Sequence, residues 1–426
     1  MQRSVDMRKL GIYIHIPFCE RKCDYCGFLS FSGCDDEVKN EYMEALGNEL
    51  KYRLELIGAS SCKGEAEKAG YEIDTVFIGG GTPSVANLGT GTKLAFSEIW
   101  GQVLMPFLAK DCEITIEANP GTLTREKLEN YRKMGINRLS MGVQSFDDEM
   151  LKKLGRIHNV KQVYENFELA RECGFDNINL DLMFALPGQT LENWEKSLNE
   201  AIKLNTEHIS FYSLQLEENT PFFKDFQEGR LRLASDELDR SMYHRAVKLL
   251  KEAGYKHYEI SNAAASSNDA LHNYRICKHN YKYWSMDEYI GVGLGASSFY
   301  GGARFMNIAD LREYIKFWSE PQNVPVTEGL ADGEAMKKGT AEWHDNKLHD
   351  FASEFVFTGL RKTVGIDLAE FEARYGVGFF EYFEGQEPYV RFCISQGLMA
   401  ESEDGRYLRL TEKGIDISNS IMVEFV

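Results

Sequence analysis

Short apolar runs alternate with longer amphipathic stretches through the first half of the chain. The runs at 11–16, 75–78, 113–118, 138–141, 177–182 and 208–214 have the length and apolar character of strands. Between them, apolar residues recur at three- and four-residue spacing over 38–56, 94–108, 125–134, 160–173 and 191–204, which predicts helices. Gly135-Ile136-Asn137 and Gly174-Phe175 close two of those helices. This alternation predicts parallel strands joined by helical crossovers. Six strands are too few to close an eightfold barrel, so the expected fold is α/β, an open partial (β/α)6 barrel.

Polar stretches then divide the chain. Segments 59–70 and 263–269 read as surface loops, to which no chemistry is assigned. Segment 328–347 reads as a linker to a smaller, α-rich (α+β) C-terminal domain. That domain has predicted helices near 352–361 and 368–375, and a strand turning into a helix over 407–415. The expected division is a barrel over 8–240, an extension of it over 241–327 and the C-terminal domain over 328–426. There is no internal repeat and no low-complexity tract.

Composition narrows the setting. The 426 residues carry a net charge of −18, which argues against nucleic-acid binding because no basic stripe is available for a phosphate backbone. Six of the nine cysteines (Cys34, Cys62, Cys112, Cys173, Cys277, Cys393) are scattered singly, which is no disulfide framework and suits a reducing cytoplasm. No apolar run reaches the length of a transmembrane helix, and residues 1–10 lack the apolar core of a signal peptide. The expected location is cytoplasmic, with peripheral contact at a membrane face and a homodimeric state both left open.

The remaining cysteines are Cys19, Cys23 and Cys26, in a loop directly after the first predicted strand. Three thiolates from so short a segment suit a metal or an iron–sulfur cluster, one ligand short of the usual four. Free thiols, or a zinc site completed by His15 or Cys34, are the alternatives that the residues leave open. Ligands in parallel α/β folds bind at the C-terminal ends of strands. Those ends carry Gly79-Gly80-Gly81-Thr82, then Glu117 and Asn119, Gln144, Asp181, Tyr212 and Gln215. Glycines there allow the backbone to approach a ligand closely. They are also compatible with a plain tight turn, and the carboxylates with ordinary ion pairs.

The Cys-x3-Cys-x2-Cys loop followed by Gly-Gly-Gly-Thr-Pro resembles the radical S-adenosylmethionine (SAM) superfamily. Four segments are similar, within it, to the oxygen-independent coproporphyrinogen III oxidase group. They are Tyr13-Ile-His-Ile-Pro-Phe-Cys19, Asn137-Arg-Leu-Ser-Met-Gly-Val-Gln-Ser-Phe146, Leu154-Gly-Arg-Ile-His158 and Asn179-Leu-Asp-Leu-Met-Phe-Ala-Leu-Pro-Gly-Gln-Thr190. The resemblance implies a [4Fe-4S] cluster on Cys19, Cys23 and Cys26. It implies S-adenosylmethionine on the open iron, contacted by Tyr13, Tyr25, Gly80, Gly81, Thr82, Glu117, Gln144, Arg156 and Asp181. An external electron donor follows from the same chemistry.

The group contains both decarboxylating oxidases and HemW-like heme chaperones. Oxidases usually carry a further cysteine two residues after the third and a long N-terminal extension; here Phe28 stands at that position and twelve residues precede Tyr13. Apart from Arg138, Arg156 and Arg304, the strand-end segments offer few cations for the four carboxylates of coproporphyrinogen. The segment His279-Asn280-Tyr-Lys-Tyr283-Trp284 resembles the His-Asn-x-x-Tyr-Trp pattern of the chaperones, which implies heme as a third cofactor and heme-accepting proteins as partners. His279 is then the expected axial ligand, with Asn280, Tyr283 and Trp284 beside it. His272, in a similar but incomplete pattern, reads as a solvated loop residue, and Cys277 as structural. The oxidase, acting on coproporphyrinogen propionates through a 5′-deoxyadenosyl radical, is the alternative; radical modification of tRNA suits this acidic chain less.

Overall fold

The computed structural model describes residues 7–62, 70–86, 100–266, 274–320 and 332–426. All six expected strands are present: β1 (Arg8–Ile16), β2 (Tyr71–Gly80), β3 (Leu108–Ala118), β4 (Arg138–Gln144), β5 (Ile178–Phe184) and β6 (His208–Ser213). They lie side by side in chain order and all run parallel. The crossover helices start where the sequence supplies caps. Thr124 accepts from Lys127 N, while Asn159 with Gln162 and Thr190 with Asn193 form capping boxes.

Side chains alternate between two environments along each strand. Leu139, Met141 and Val143 of β4, Ile178, Leu180 and Leu182 of β5, and Ile209 and Phe211 of β6 pack into the main hydrophobic core. The intervening positions carry polar residues that form level rows across the sheet, with Glu117 beside Ser140, Ser140 beside Asn179 and Asp181 beside Ser210, together with Gly142 and Met183.

The sheet is wider than expected. After β6 come the antiparallel β7 (Lys256–Glu259) and β8 (Asn262–Ala264). Beyond β1 lies a seventh parallel strand, β9 (Tyr289–Val292), followed outward by the antiparallel β10 (Ser297–Tyr300), β11 (Ala303–Asn307) and β12 (Thr340–Asp345). Among the described residues, twelve strands run in the order β12-β11-β10-β9-β1-β2-β3-β4-β5-β6-β8-β7, with no pairing between the outermost two.

Three expectations change. Residues 100–107 form two short turns, Trp100–Leu104 and Met105–Phe107, because Pro106 removes a backbone donor; β3 then begins at Leu108. The rest of the predicted 94–108 helix lies outside the described residues, as do residues 63–69 and 267–269 of the two polar loops. Residues 59–62 belong to the Asp36–Cys62 helix and 263–264 to β8. Finally, 340–345 is a strand of the main sheet, with Trp343 stacked on Phe305 at 4.8 Å, so the sheet runs past the boundary expected at 328.

The Asp36–Cys62 helix is tied to the added strands by a buried ion pair. Arg53 lies 3.3 Å from Glu49, and Glu49 also accepts from Gly293 N, Asn307 Nδ2 and Tyr314 Oη at 2.6–2.8 Å. From Leu348 onward, helices and a three-stranded sheet surround a second aromatic cluster that includes Phe355, Phe371, Phe379 and Phe383. This unit packs on the Lys278–Ser285 helix, where the Arg361 guanidinium covers the Trp284 ring at 4.3 Å.

Candidate cofactor site at the strand ends

Cys19 ends a short extended segment paired with Phe31–Ser32, and Cys23 and Cys26 follow in the same loop. Backbone bonds hold this loop to distant parts of the chain. Asp24 N donates to the Leu154 carbonyl at 3.2 Å, and Phe222 N donates to the Asp24 carbonyl at 3.0 Å. The glycine run fastens the other side, with Gly81 N on the Ile16 carbonyl and Thr82 N on the Phe18 carbonyl, each at 2.8 Å.

Glycine is required at 81 by space. A Cβ there would stand 2.8 Å from the Phe18 carbonyl oxygen and 3.0 Å from the Cys19 sulfur. Gly80 has φ +117°, which disfavours any other residue, and a Cβ would meet the His15 ring at 2.7 Å.

All three cysteines face a cavity of about 660 Å³. Its wall includes Tyr25, Gly80, Gly81, Thr82, Glu117, Gln144, Arg156 and Asp181, with Tyr212 and Gln215 from the sixth strand end. The sulfurs have polar company: Thr82 Oγ1 lies 3.5 Å from Cys19 and Arg156 Nη1 3.4 Å from Cys23. Burial pushes the Cys26 thiol up. His15 is no fourth ligand, since its ring nitrogens meet Tyr13 Oη and the Leu29 carbonyl, both at 2.9 Å. Among the described residues no three His, Cys, Asp or Glu side chains are gathered closely enough to hold a single metal ion. Three thiols around an open volume, with cationic and hydroxyl groups on the sulfurs, instead fit a larger cluster with room for a small-molecule ligand.

The carboxylates are held, not free. Glu117 accepts from Gly80 N at 3.0 Å. Burial, reinforced by Asp181 and opposed by the Gly80 N–H and Arg138, pushes its pKa up to about 8. Asp181 accepts from Asn179 Nδ2 at 2.8 Å, and burial raises it too. Gln144, at φ +67°, accepts from Tyr212 Oη at 2.9 Å.

The 279–284 segment lies on the Lys278–Ser285 helix against β2. Only Asn280 of its four motif residues reaches the cavity wall. His279 is 1% exposed, with Nδ1 2.9 Å from Thr75 Oγ1 and Nε2 2.8 Å from Tyr283 Oη. Burial, with Lys282 and Arg138 nearby, pushes its pKa down to about 3, so the ring is neutral.

Residues 13–201 match the family described as the Radical SAM superfamily, and 347–417 that described as the HemN C-terminal domain. The heme chaperone HemW of Bacillus subtilis is 36% identical over 97% of this chain and 98% of its own. HemW of Escherichia coli is 33% identical over 99% of each. The chain belongs to the HemW family of radical SAM proteins. The solved coproporphyrinogen III oxidase HemN of Escherichia coli shares the fold, with a TM-score of 0.77 over 99% of this chain and 91% of that one at 23% identity.

Radical SAM membership implies a [4Fe-4S] cluster and S-adenosylmethionine. Every residue expected at those cofactors lines the cavity except Tyr13, which stacks behind it on Phe77. The heme expectation meets an obstacle. As a HemW-type axial ligand His279 has no free ring nitrogen here, and Trp284 lies under Arg361. Cys277 is buried, as expected of a structural residue, and His272 lies outside the described residues. Sequence reasoning missed Ser140, Ser210 and Asn262 on the cavity wall. The two-residue alternation of Arg138, Ser140 and Gly142, and of His208, Ser210 and Tyr212, carried the signal for the first two.

Proposed function

We propose that this protein is a heme chaperone, one that binds heme and hands it to acceptor proteins, with a [4Fe-4S] cluster and S-adenosylmethionine at the strand-end cavity. The observation that carries the reading is near full-length likeness, at 33–36% identity, to curated heme chaperones. Phe28 in place of the oxidases' extra cysteine supports it against the oxidase alternative.

Cys19, Cys23 and Cys26 would hold the cluster. Tyr25, Gly80, Gly81, Thr82, Glu117, Gln144, Arg156 and Asp181 would seat S-adenosylmethionine, with Tyr13 supporting from behind. A cluster held there would supply one-electron reducing chemistry, for which an external donor would be needed. Glu117 and Asp181 would orient polar groups of the ligand. Heme contact through His279, Asn280, Tyr283 and Trp284 requires the imidazole to leave Thr75 or Tyr283. Heme binding is therefore proposed for the chain, and its place at that segment is a separate question.

The test is anaerobic reconstitution of the cluster, hemin titration by absorbance, and transfer to an apo heme protein. Stoichiometric binding and transfer are expected. Carbon dioxide release from coproporphyrinogen III, beside a working oxidase control, would replace the chaperone reading with the alternative.

A further inference from the structure

Four aromatic rings contact one another in succession from the Lys278–Ser285 helix toward the cysteine loop. Tyr283 and His279 sit edge to face at 5.2 Å and share their hydrogen bond. The His279 imidazole stacks on Phe77 at 5.4 Å and 30°, and Phe77 stacks on Tyr13 at 6.4 Å and 27°. Tyr13 Oη meets His15 Nδ1, and His15 Nε2 meets the carbonyl of Leu29, just beyond Cys26. The succession therefore ends on the cysteine loop itself.

Two glycines show what these rings press against. A Cβ at Gly79 would stand 3.0 Å from both Phe77 Cε1 and Glu117 Oε2, and one at Gly80 would stand 2.7 Å from the His15 ring. Close-packed rings transmit displacement instead of absorbing it. His279 is the anchored member of the row, since Thr75 holds its ring and its backbone N donates to Glu113 at 3.2 Å.

We propose that His279 is a positioning residue for the cluster and cofactor cavity, acting through Phe77, Tyr13 and His15 on the glycine run and the cysteine loop. The inference rests on the cavity being the S-adenosylmethionine site, and is independent of heme binding. It gives the His-Asn-x-x-Tyr-Trp segment a task in the folded chain that uses both imidazole nitrogens as they are.

The test compares wild type, His279→Ala and Phe77→Leu after cluster reconstitution. The readouts are iron content, the electron paramagnetic resonance signal of the reduced cluster with and without S-adenosylmethionine, S-adenosylmethionine affinity, and hemin titration. Both variants are expected to weaken S-adenosylmethionine roughly 10- to 100-fold, the range seen when groups supporting metal ligands are removed, and to alter the ligand-induced signal change. Normal S-adenosylmethionine affinity in either variant overturns the proposal. Loss of the hemin spectrum in His279→Ala with normal S-adenosylmethionine binding makes His279 an iron ligand instead. Should His279→Ala fail to fold, His279→Gln is held to the same criteria. A wild type that assembles no cluster or binds no S-adenosylmethionine overturns the cofactor reading, and this proposal with it.

Discussion

The guanidinium of Arg156 lies 3.4 Å from the sulfur of Cys23. Its other nitrogen donates to Asn119 Oδ1 at 2.6 Å and to the Gly142 carbonyl at 2.5 Å, so the charge is fixed in place. A cation beside a cluster thiolate favours the reduced, more negative state. Arg156→Leu is therefore expected to lower the cluster reduction potential and to weaken S-adenosylmethionine roughly 10- to 100-fold. Arg156→Lys should recover part of the potential but less of the affinity, since lysine lacks the planar fork. Redox titration and equilibrium dialysis separate the two effects.

Gly81 makes a steric prediction. An alanine methyl would collide with the Phe18 carbonyl and the Cys19 sulfur, and a strand carbonyl cannot swing away as a flexible side chain would. Gly81→Ala is expected to retain its fold by circular dichroism and to lose most reconstituted iron. Iron content equal to wild type would show that the loop yields.

Glu117 makes the apoprotein's stability depend on pH. Its folded pKa of about 8 exceeds the ordinary carboxylate value, so the folded chain holds a proton that the unfolded chain has released. That contribution is complete below the ordinary value near 4.5 and is lost as pH rises through about 8. Urea unfolding of the apoprotein at pH 5, 7 and 9 should show stability falling with pH, by about 1.4 kcal/mol per pH unit at most from this group. Glu117→Gln should remove that part of the slope.

Arg53 and Glu49 predict a folding defect far from the cavity. Removing one member of a buried pair strands the other's charge, at a cost of about 3–5 kcal/mol. Arg53→Met is expected to lower the urea midpoint accordingly, with Glu49 left among Gly293, Asn307 and Tyr314.

The parallel core of the fold was legible because each strand places apolar residues on its outer face, as Leu139, Met141 and Val143 do on β4. The cysteine loop and strand-end residues were legible because their types are unusual where they stand. β9 was not, since four residues ending at Val292 carry too little pattern to read. Nor was β12, whose pairing with β11 depends on Trp343 meeting Phe305 across the sheet. His279 exposes a different limit. Residue type and spacing mark it as a ligand, while its two occupied nitrogens are a property of Thr75 and Tyr283, one of them distant in sequence.

The parallel strand β9 also sets an order of events at the ribosome. Until Tyr289–Val292 has emerged, β1 has an unpaired edge, and the cysteine loop hangs from that edge. Such an edge invites pairing with another nascent chain. A cluster inserted before that moment would enter a loop whose supporting strand is still half-bonded.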